Sequence, residues 1–377
     1  MVLEQTRWSP AGWTPAPPGR LGASAQLVLV FGSRAVLQDA AALADVRRAY
    51  PSARITGCST SGEIHDTSVL DDSAVVTAIA FRDTPLAFAS VDLKEVEGNE
   101  DAGATLARRL ACDDLRHVFV LSDGLNVNGS ELVRGLTMNL PASVTVTGGL
   151  AGDGAAFGHT VVVVDGTARD RVVVAVGLRG NAIRVGYGSL GGWDPFGPER
   201  LVTRARGNVL YELDGQSALG LYRKYLGDHE RDLPASGLLF PLSIRTDRES
   251  TGVVRTILSV SDADDSMTFA GDIIEGSFAR LMRANFDRLI EGASGAARIS
   301  ADPSHPPVEL ALLISCVGRR MVLKQRVEEE VEGVREVVGP GAVLAGFYSY
   351  GEIAPFMRSA KCELHNQTMT ITTLAEA

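Results

Sequence analysis

Short apolar runs alternating with segments of helical spacing mark the first regular part of the chain. Leu27 to Phe31 is an unbroken apolar run of buried-strand length, and Gly32-Ser33-Arg34 turns the chain after it. Residues 35 to 49 carry Val36, Leu37, Leu43 and Val46 at helical spacing, Pro51 ends the segment, and Arg54-Ile55-Thr56 opens another strand. The pattern predicts a β-α-β unit, preceded by an irregular arm over residues 1–24 that Trp8 and Trp13 pin to the body.

The unit recurs. Residues 57–64 read GCSTSGEI and residues 346–353 read GFYSYGEI, so G-x-x-[ST]-x-G-E-I stands near both ends of the chain. Upstream of the second copy, Leu310 to Cys316 reads as a strand, Val317-Gly318-Arg319 as a turn and Met321 to Val338 as a helix leading into Ala342 to Ala345, which puts Arg34 and Arg319 in equivalent turns. A looser third copy runs from Val118 to Leu121 through Ser122-Asp123-Gly124, a helix near Glu131 to Met138, and Val144 to Thr147 into GGLAGDG at 148–154. There Asp153 takes the place of Glu63 and Glu352. Further strands follow each turn, at Ala74 to Phe81, Thr160 to Val164 and Thr368 to Thr372, so the module reads β-α-β-turn-β.

Between the copies, Val161 to Gly166 and Arg171 to Leu178 read as a hairpin about Asp165-Gly166, and Trp193 to Pro198 as an exposed loop. Residues 216–226 start a helix. Strands are expected at Leu238 to Ile244, Val253 to Ser261 and Met267 to Phe269. Residues 276–290 place Phe278, Leu281, Met282, Phe286 and Leu289 on one helical face, and 292–307 read as a connector. The expected fold class is α/β, with two related halves, mixed sheets and outer helices in a helix-sheet-sheet-helix body. At 377 residues the chain exceeds what one hydrophobic core usually spans, and the division expected is 25–215 and 216–377.

Composition narrows the function. Hydrophobic residues make up 45% and charged residues 22%, a globular balance, and the net charge of -10 opposes binding to phosphate backbones. Cys58, Cys112, Cys316 and Cys362 form no C-x-x-C pair, so neither a disulfide framework nor a zinc knuckle is written here. The first twenty residues lack the apolar core of a signal peptide, and no run approaches the roughly 20 residues of a membrane helix, so a cytoplasmic location is expected.

GCSTSGEI, GGLAGDG, YELDGQSA, LLISCVGRR, GFYSYGEIAP and LHNQTMT, in this order, resemble the N-terminal and C-terminal halves of the FIST family (F-box and intracellular signal transduction). The resemblance covers nearly the whole chain. It implies a bacterial or archaeal sensory protein that binds a small polar ligand such as an amino acid. It also implies a histidine kinase, a chemoreceptor or a cyclic-nucleotide signalling protein as partner, acting in trans because no kinase motif or long heptad region is present. Some relatives are haem-dependent nitric oxide sensors; here no C-x-x-C-H motif occurs and no histidine stands out as an axial ligand, so no cofactor is expected, and a haem-based nitric oxide sensor is kept as an alternative.

The Gly-flanked turns let backbone approach a ligand closely. Glu63, Glu352 and Asp153 offer acceptors for an ammonium group, and Arg34 or Arg319 offers a fork for a carboxylate, the combination that suits a zwitterion. Ser59, Thr60, Ser349, Tyr348 and Tyr350 add hydroxyls and ring faces. The same glutamates equally suit capping of neighbouring amides, and the same arginines suit internal ion pairs. An enzyme is not expected. The alternative, a hydrolase or transferase using Cys58 or Ser59, lacks the G-x-S-x-G elbow, because each turn carries one residue too many between its glycines.

Overall fold

The computed structural model describes residues 1–39, 41–247, 252–302, 304–356 and 361–377; Ala40 of the first helical segment and Pro303 of the connector lie outside them. Three copies of one unit build the body. In each, an apolar lead strand (Leu27–Gly32, Leu115–Ser122, Leu310–Cys316) runs parallel to a second strand (Arg54–Ser59, Thr145–Leu150, Val343–Ser349) across a helical crossover. On its other side the lead strand pairs antiparallel with a return strand (Ala74–Ala80, Val172–Arg179, Met369–Glu376), which pairs in turn with an outer strand (Val2–Ser9, Leu86–Asp92, Ile183–Leu190); the last two are edge strands, while the short Gly12–Thr14 borders Val2–Ser9.

What binds the units together is a cyclic exchange. After its second strand, each unit sends a short strand into a neighbour's sheet. Glu63–His65 of the first unit pairs with the second strand of the third, Gly351–Pro355 of the third with that of the second, and Val162–Val164 of the second with that of the first. The loosest copy in sequence is therefore a full structural equivalent, and three sheets share one core instead of two stacking face to face. Strand alternation explains the sharing. Leu27, Leu29, Phe31, Phe119, Leu121, Leu310, Leu312 and Ile314 point into the common core. Their neighbours Val28, Val30, Val118, Val120, Ala311 and Leu313 face the outer helices.

The equivalence reaches single glycines. A Cβ at Gly57, Gly148 or Gly346 would stand 1.7, 1.8 and 1.8 Å from the carbonyl oxygens of Val30, Val120 and Leu313, because at these positions the parallel strands approach too closely for a side chain. Gly346→Ala is expected to destabilise the fold by about 3 kcal/mol or more, since the obstructing atom is backbone that cannot rotate away. A urea midpoint within error of the wild type's would refute the close approach.

Outer helices Asn99–Leu110 and Gly129–Asn139 cover the second sheet, and Phe286–Ser300 and Val327–Val338 cover the third. The first sheet has one long helix, Ala41–Ala49, and the N-terminal residues fill the vacant place. The irregular arm expected over 1–24 is corrected accordingly: Val2–Ser9 is a strand, and Glu4 accepts hydrogen bonds from the amides of Gly19, Arg20 and Leu21 at 2.8 to 3.0 Å. Trp13 donates to Asp45 at 3.0 Å.

Other readings change in the second half. Between the third edge strand and its outer helix lies an inserted eight-stranded sheet with its own core of Leu210, Tyr222, Leu242, Phe269 and Leu281. Trp193–Arg206 is one of its strands and not a loop, and Phe278–Ala284 is its partner strand and not the start of a helix. The connector expected from 292 is helical as far as Ser300. Asp165-Gly166 does turn a hairpin, but between Val162–Val164 and Thr167–Arg169, while Val172–Arg179 serves a different sheet.

Candidate functional site

The three turns that follow the second strands meet at one place. Ser61 N–H donates to Tyr348 O at 2.8 Å, Tyr350 N–H to Leu150 O at 3.3 Å, and Gly152 N–H to Ser59 O at 2.9 Å. Counted from Gly57, Gly148 and Gly346, donors and acceptors occupy the same places in each unit. The three bonds therefore close a ring that links first unit to third, third to second and second to first. This junction lies at the carboxyl ends of the parallel strand pairs, where open α/β sheets place ligands.

Side chains decorate the ring unevenly. Ser61 Oγ donates to Gly154 O at 3.2 Å and accepts from its N–H at 3.1 Å. Tyr350 donates its hydroxyl to Asp153 and stacks on Phe157 with ring centroids 4.5 Å apart. The other oxygen of Asp153 accepts from the amides of Gly158 and His159 at 3.0 and 2.8 Å. Opposite, Arg320 donates to Ser61 O at 2.5 Å, grips Asp71 through both Nη atoms at 2.8 and 2.5 Å, and lies 5.7 Å from the ring centroid of Tyr348. Ser61 thus stands between a half-buried guanidinium and a half-buried carboxylate.

The two Gly-Glu-Ile corners lie side by side, with Phe347 opposite Glu63 in the ladder, but both carboxyls turn inward. Glu63 is 1% exposed and accepts from the hydroxyls of Thr60 and Ser73; burial pushes its pKa to about 7. Glu352 is 0% exposed and accepts from Ser349 Oγ at 2.7 Å and from the Thr368 amide and hydroxyl at 3.1 and 2.9 Å; burial lifts it to about 8. Each ties its own turn to the start of its return strand. Ser59, likewise buried, accepts from the amide of Val161 at 3.0 Å, and Cys58 is buried with its thiol pushed well up by desolvation.

Three sequence assignments are corrected. Asp153 is not the counterpart of Glu63 and Glu352, because Val162 holds their ladder position in the second unit. Arg34 begins a short helix and bonds Gln38. Arg319 is wholly buried, donating to Glu330 at 3.0 and 2.7 Å and to the carbonyls of Gly191 and Leu289 at 2.8 and 2.7 Å. The lead strands also show that Arg34 and Arg319 are not equivalent, because Ser33 and Cys316 donate at matching ladder positions and Arg34 therefore aligns with Val317.

Sequence reasoning missed Arg320, Ser61 and Asp123. Asp123 is buried and accepts from the amides of Leu125, Asn126 and Arg171 at 2.8 to 2.9 Å and from Thr160 Oγ1 at 3.1 Å, so it braces the second unit as the glutamates brace the others. Its signal was the Ser122-Asp123-Gly124 turn at a strand end.

Comparison with known proteins decides the family. The FIST N domain matches residues 26–216 and the FIST C domain residues 218–355. The chain belongs to the FIST family. FIST domains are sensory domains of signal transduction. An uncharacterized protein of Methanocaldococcus jannaschii is 25% identical over 315 residues; the match covers 76% of this FIST chain and 59% of that protein. A cyanuric acid hydrolase from A. caulinodans overlaps it in structure at 8% identity and a TM-score of 0.38, covering 100% of this chain and 99% of that one, a level that carries no functional argument. Among the described residues no helix is long and apolar enough to cross a membrane.

Proposed function

We propose that this FIST protein is a cytoplasmic sensor that binds a small zwitterionic metabolite, an amino acid or a close relative, at the three-turn junction and signals to a separate histidine kinase, chemoreceptor or cyclic-nucleotide protein. One observation carries the reading: Arg320 and Asp153, of opposite charge and both half-buried, flank Ser61 at the point where all three units touch. Arg320 is engaged by Asp71, whose side chain is 65% exposed. So exposed an ion pair contributes little, and a ligand carboxylate can replace Asp71 on the same bidentate fork. Asp153 then accepts from the ammonium, with Tyr350 beside it; Tyr348, expected to offer its hydroxyl, is instead wholly buried with that hydroxyl on Glu330, and only its ring lies near Arg320. Glu63, Glu352, Thr60, Ser349 and Ser59 support the turns from behind. Catalysis is no part of this proposal, because Cys58 and Ser59 are buried and the hydroxyl of Ser59 is already engaged.

A ligand that occupies the junction must stabilise the folded form, by about 2.7 kcal/mol at a hundred times its Kd. A thermal-shift screen of amino acids and small carboxylates is expected to yield a selective rise in Tm. Arg320→Ala and Asp153→Asn should each abolish that rise while leaving the unliganded Tm close to that of the wild type. A hit whose affinity survives both substitutions would move the site elsewhere, and a screen with no hit would refute the reading.

A further inference from the structure

We infer that Asn366, Gln367 and Thr368 couple the three-turn junction to the inserted sheet, which makes that sheet the element whose conformation follows the state of the junction. The coupling rests on the junction reading above for its input and gives that site an output.

The three residues join the strand Cys362–His365 to the return strand Met369–Glu376, and all are buried. On one side they hold the third turn. Thr368 donates its amide and hydroxyl to Glu352, and Asn366 Nδ2 donates to Tyr350 O at 3.3 Å. Tyr350 is the residue that reaches Leu150 and Asp153 across the junction. On the other side they hold the insertion at three points. Asn366 Oδ1 accepts from the amide of Thr256 at 3.3 Å, Gln367 Nε2 donates to Leu238 O at 3.0 Å, and Gln367 O accepts from Trp193 Nε1 at 2.9 Å.

Thr256 is where a shift of Asn366 acts on the insertion. Val253–Arg255 pairs with Leu242–Arg245 at one end of the inserted sheet, and Ile257–Ser261 pairs with Ser266–Phe269 at the other, so Thr256 between them closes the sheet on itself. The amide at that closure goes to a side chain of the body. The insertion also hangs from one stem, because Trp193 and Ala284, where its outermost strands begin and end, pair with each other, and Gly192 just before the stem has φ 130°. A two-stranded stem beside a glycine permits a pivot.

The seam carries unrelieved cost. Gln367 has φ 64°, a left-handed conformation uncommon for its side chain. Gln367 Oε1, Thr256 Oγ1 and Ser236 Oγ, on the segments that meet here, are buried with no partner among the described residues. Strain and orphaned polar atoms at a contact between two bodies mark an arrangement that a second one would relieve.

Hydrogen–deuterium exchange of the intact, unliganded chain tests the coupling. Tyr350→Phe, which removes the hydroxyl bond to Asp153, is expected to speed exchange over residues 253–261 and 235–239 about tenfold. Asn366→Ala should speed the same amides by itself, and Tyr350→Phe added to it should bring no further rise, because the link is already cut. Val46→Ala, which opens the core of the first sheet, is the control for general loosening and should not single out these segments. The coupling is overturned if Tyr350→Phe leaves 253–261 unchanged, if the two substitutions act independently, or if the rise is shared equally by the helix Ala41–Ala49. Where Asn366→Ala does not fold, the comparison of Tyr350→Phe with the wild type decides. No ligand enters the measurement, so a ligand screen without hits refutes the binding site and not the coupling.

Discussion

Arg319→Ala is expected to cost this protein about 3 to 5 kcal/mol of stability, the usual loss when one partner of a fully buried ion pair is removed. Glu330 is 0% exposed and receives Arg319, Ser315 Oγ at 3.0 Å and Tyr348 Oη at 2.6 Å. Without the guanidinium its charge has two hydroxyls and no cation to replace the water it gave up on folding. The same guanidinium holds the Gly191 and Leu289 carbonyls, so the substitution also loosens the entry to the inserted sheet and the helix that follows it. Replacing both members by apolar residues, Arg319→Met with Glu330→Leu, should restore most of the loss, because no buried charge is then left unpaired. Urea unfolding of the two single variants and the double variant checks both statements. A single variant within about 1 kcal/mol of the wild type would show that the pair is not sealed from water.

Stability should fall by about 1 to 2 kcal/mol between pH 6.5 and 8, and Glu352→Gln should remove most of that fall. Glu352 and Glu63 have folded pKa values raised from 4.5 to about 8 and about 7. Over the interval between those values the folded chain keeps protons that the unfolded chain has released. Their contribution is therefore complete below about pH 4.5 and is lost as pH climbs through the folded values. The buried histidines act in the opposite sense: His117 and His365 are depressed from 6.5 to about 3 and about 4, so they weaken the fold as pH drops through the unfolded value of 6.5, an effect that starts about one pH unit above it. At 6.5 the unfolded imidazoles are still half protonated, so up to about pH 7.5 they offset somewhat under 1 kcal/mol of the decline, and above that they are neutral in both states and the decline is left to the glutamates. An amide at position 352 can still accept from Thr368 and donate to Ser349, so Glu352→Gln should fold normally with a flatter profile. A wild-type profile that is level from pH 6.5 to 8 would refute the buried, protonated carboxyl.

Why Arg319 was open to misreading in the sequence while its neighbour escaped notice is a matter of direction. Adjacent residues on a helix point about a third of a turn apart, so one of two arginines enters the core and the other reaches the junction. No spacing in Arg319-Arg320 says which. Similarly, Phe278, Leu281 and Met282 suit a helix by period, yet pairing with the Trp193–Arg206 strand prevailed, because ladder partners far away in sequence outweigh a local preference. The second unit was harder to see than the others because its turn lacks the Glu, and Asp123 on the preceding loop does the corresponding bracing.

By itself the sequence determined the α/β class, the family, the repeat and its turns, since these follow from local periodicity and from residues that recur at fixed offsets. Only the tertiary structure decided that the units form a closed triad, that Glu63 and Glu352 face inward, and that Arg319 is buried while Arg320 reaches the three-turn junction. Strands of three to five residues carry too little pattern to name the sheet they join, and alternation tells which residues share a face but not what that face meets.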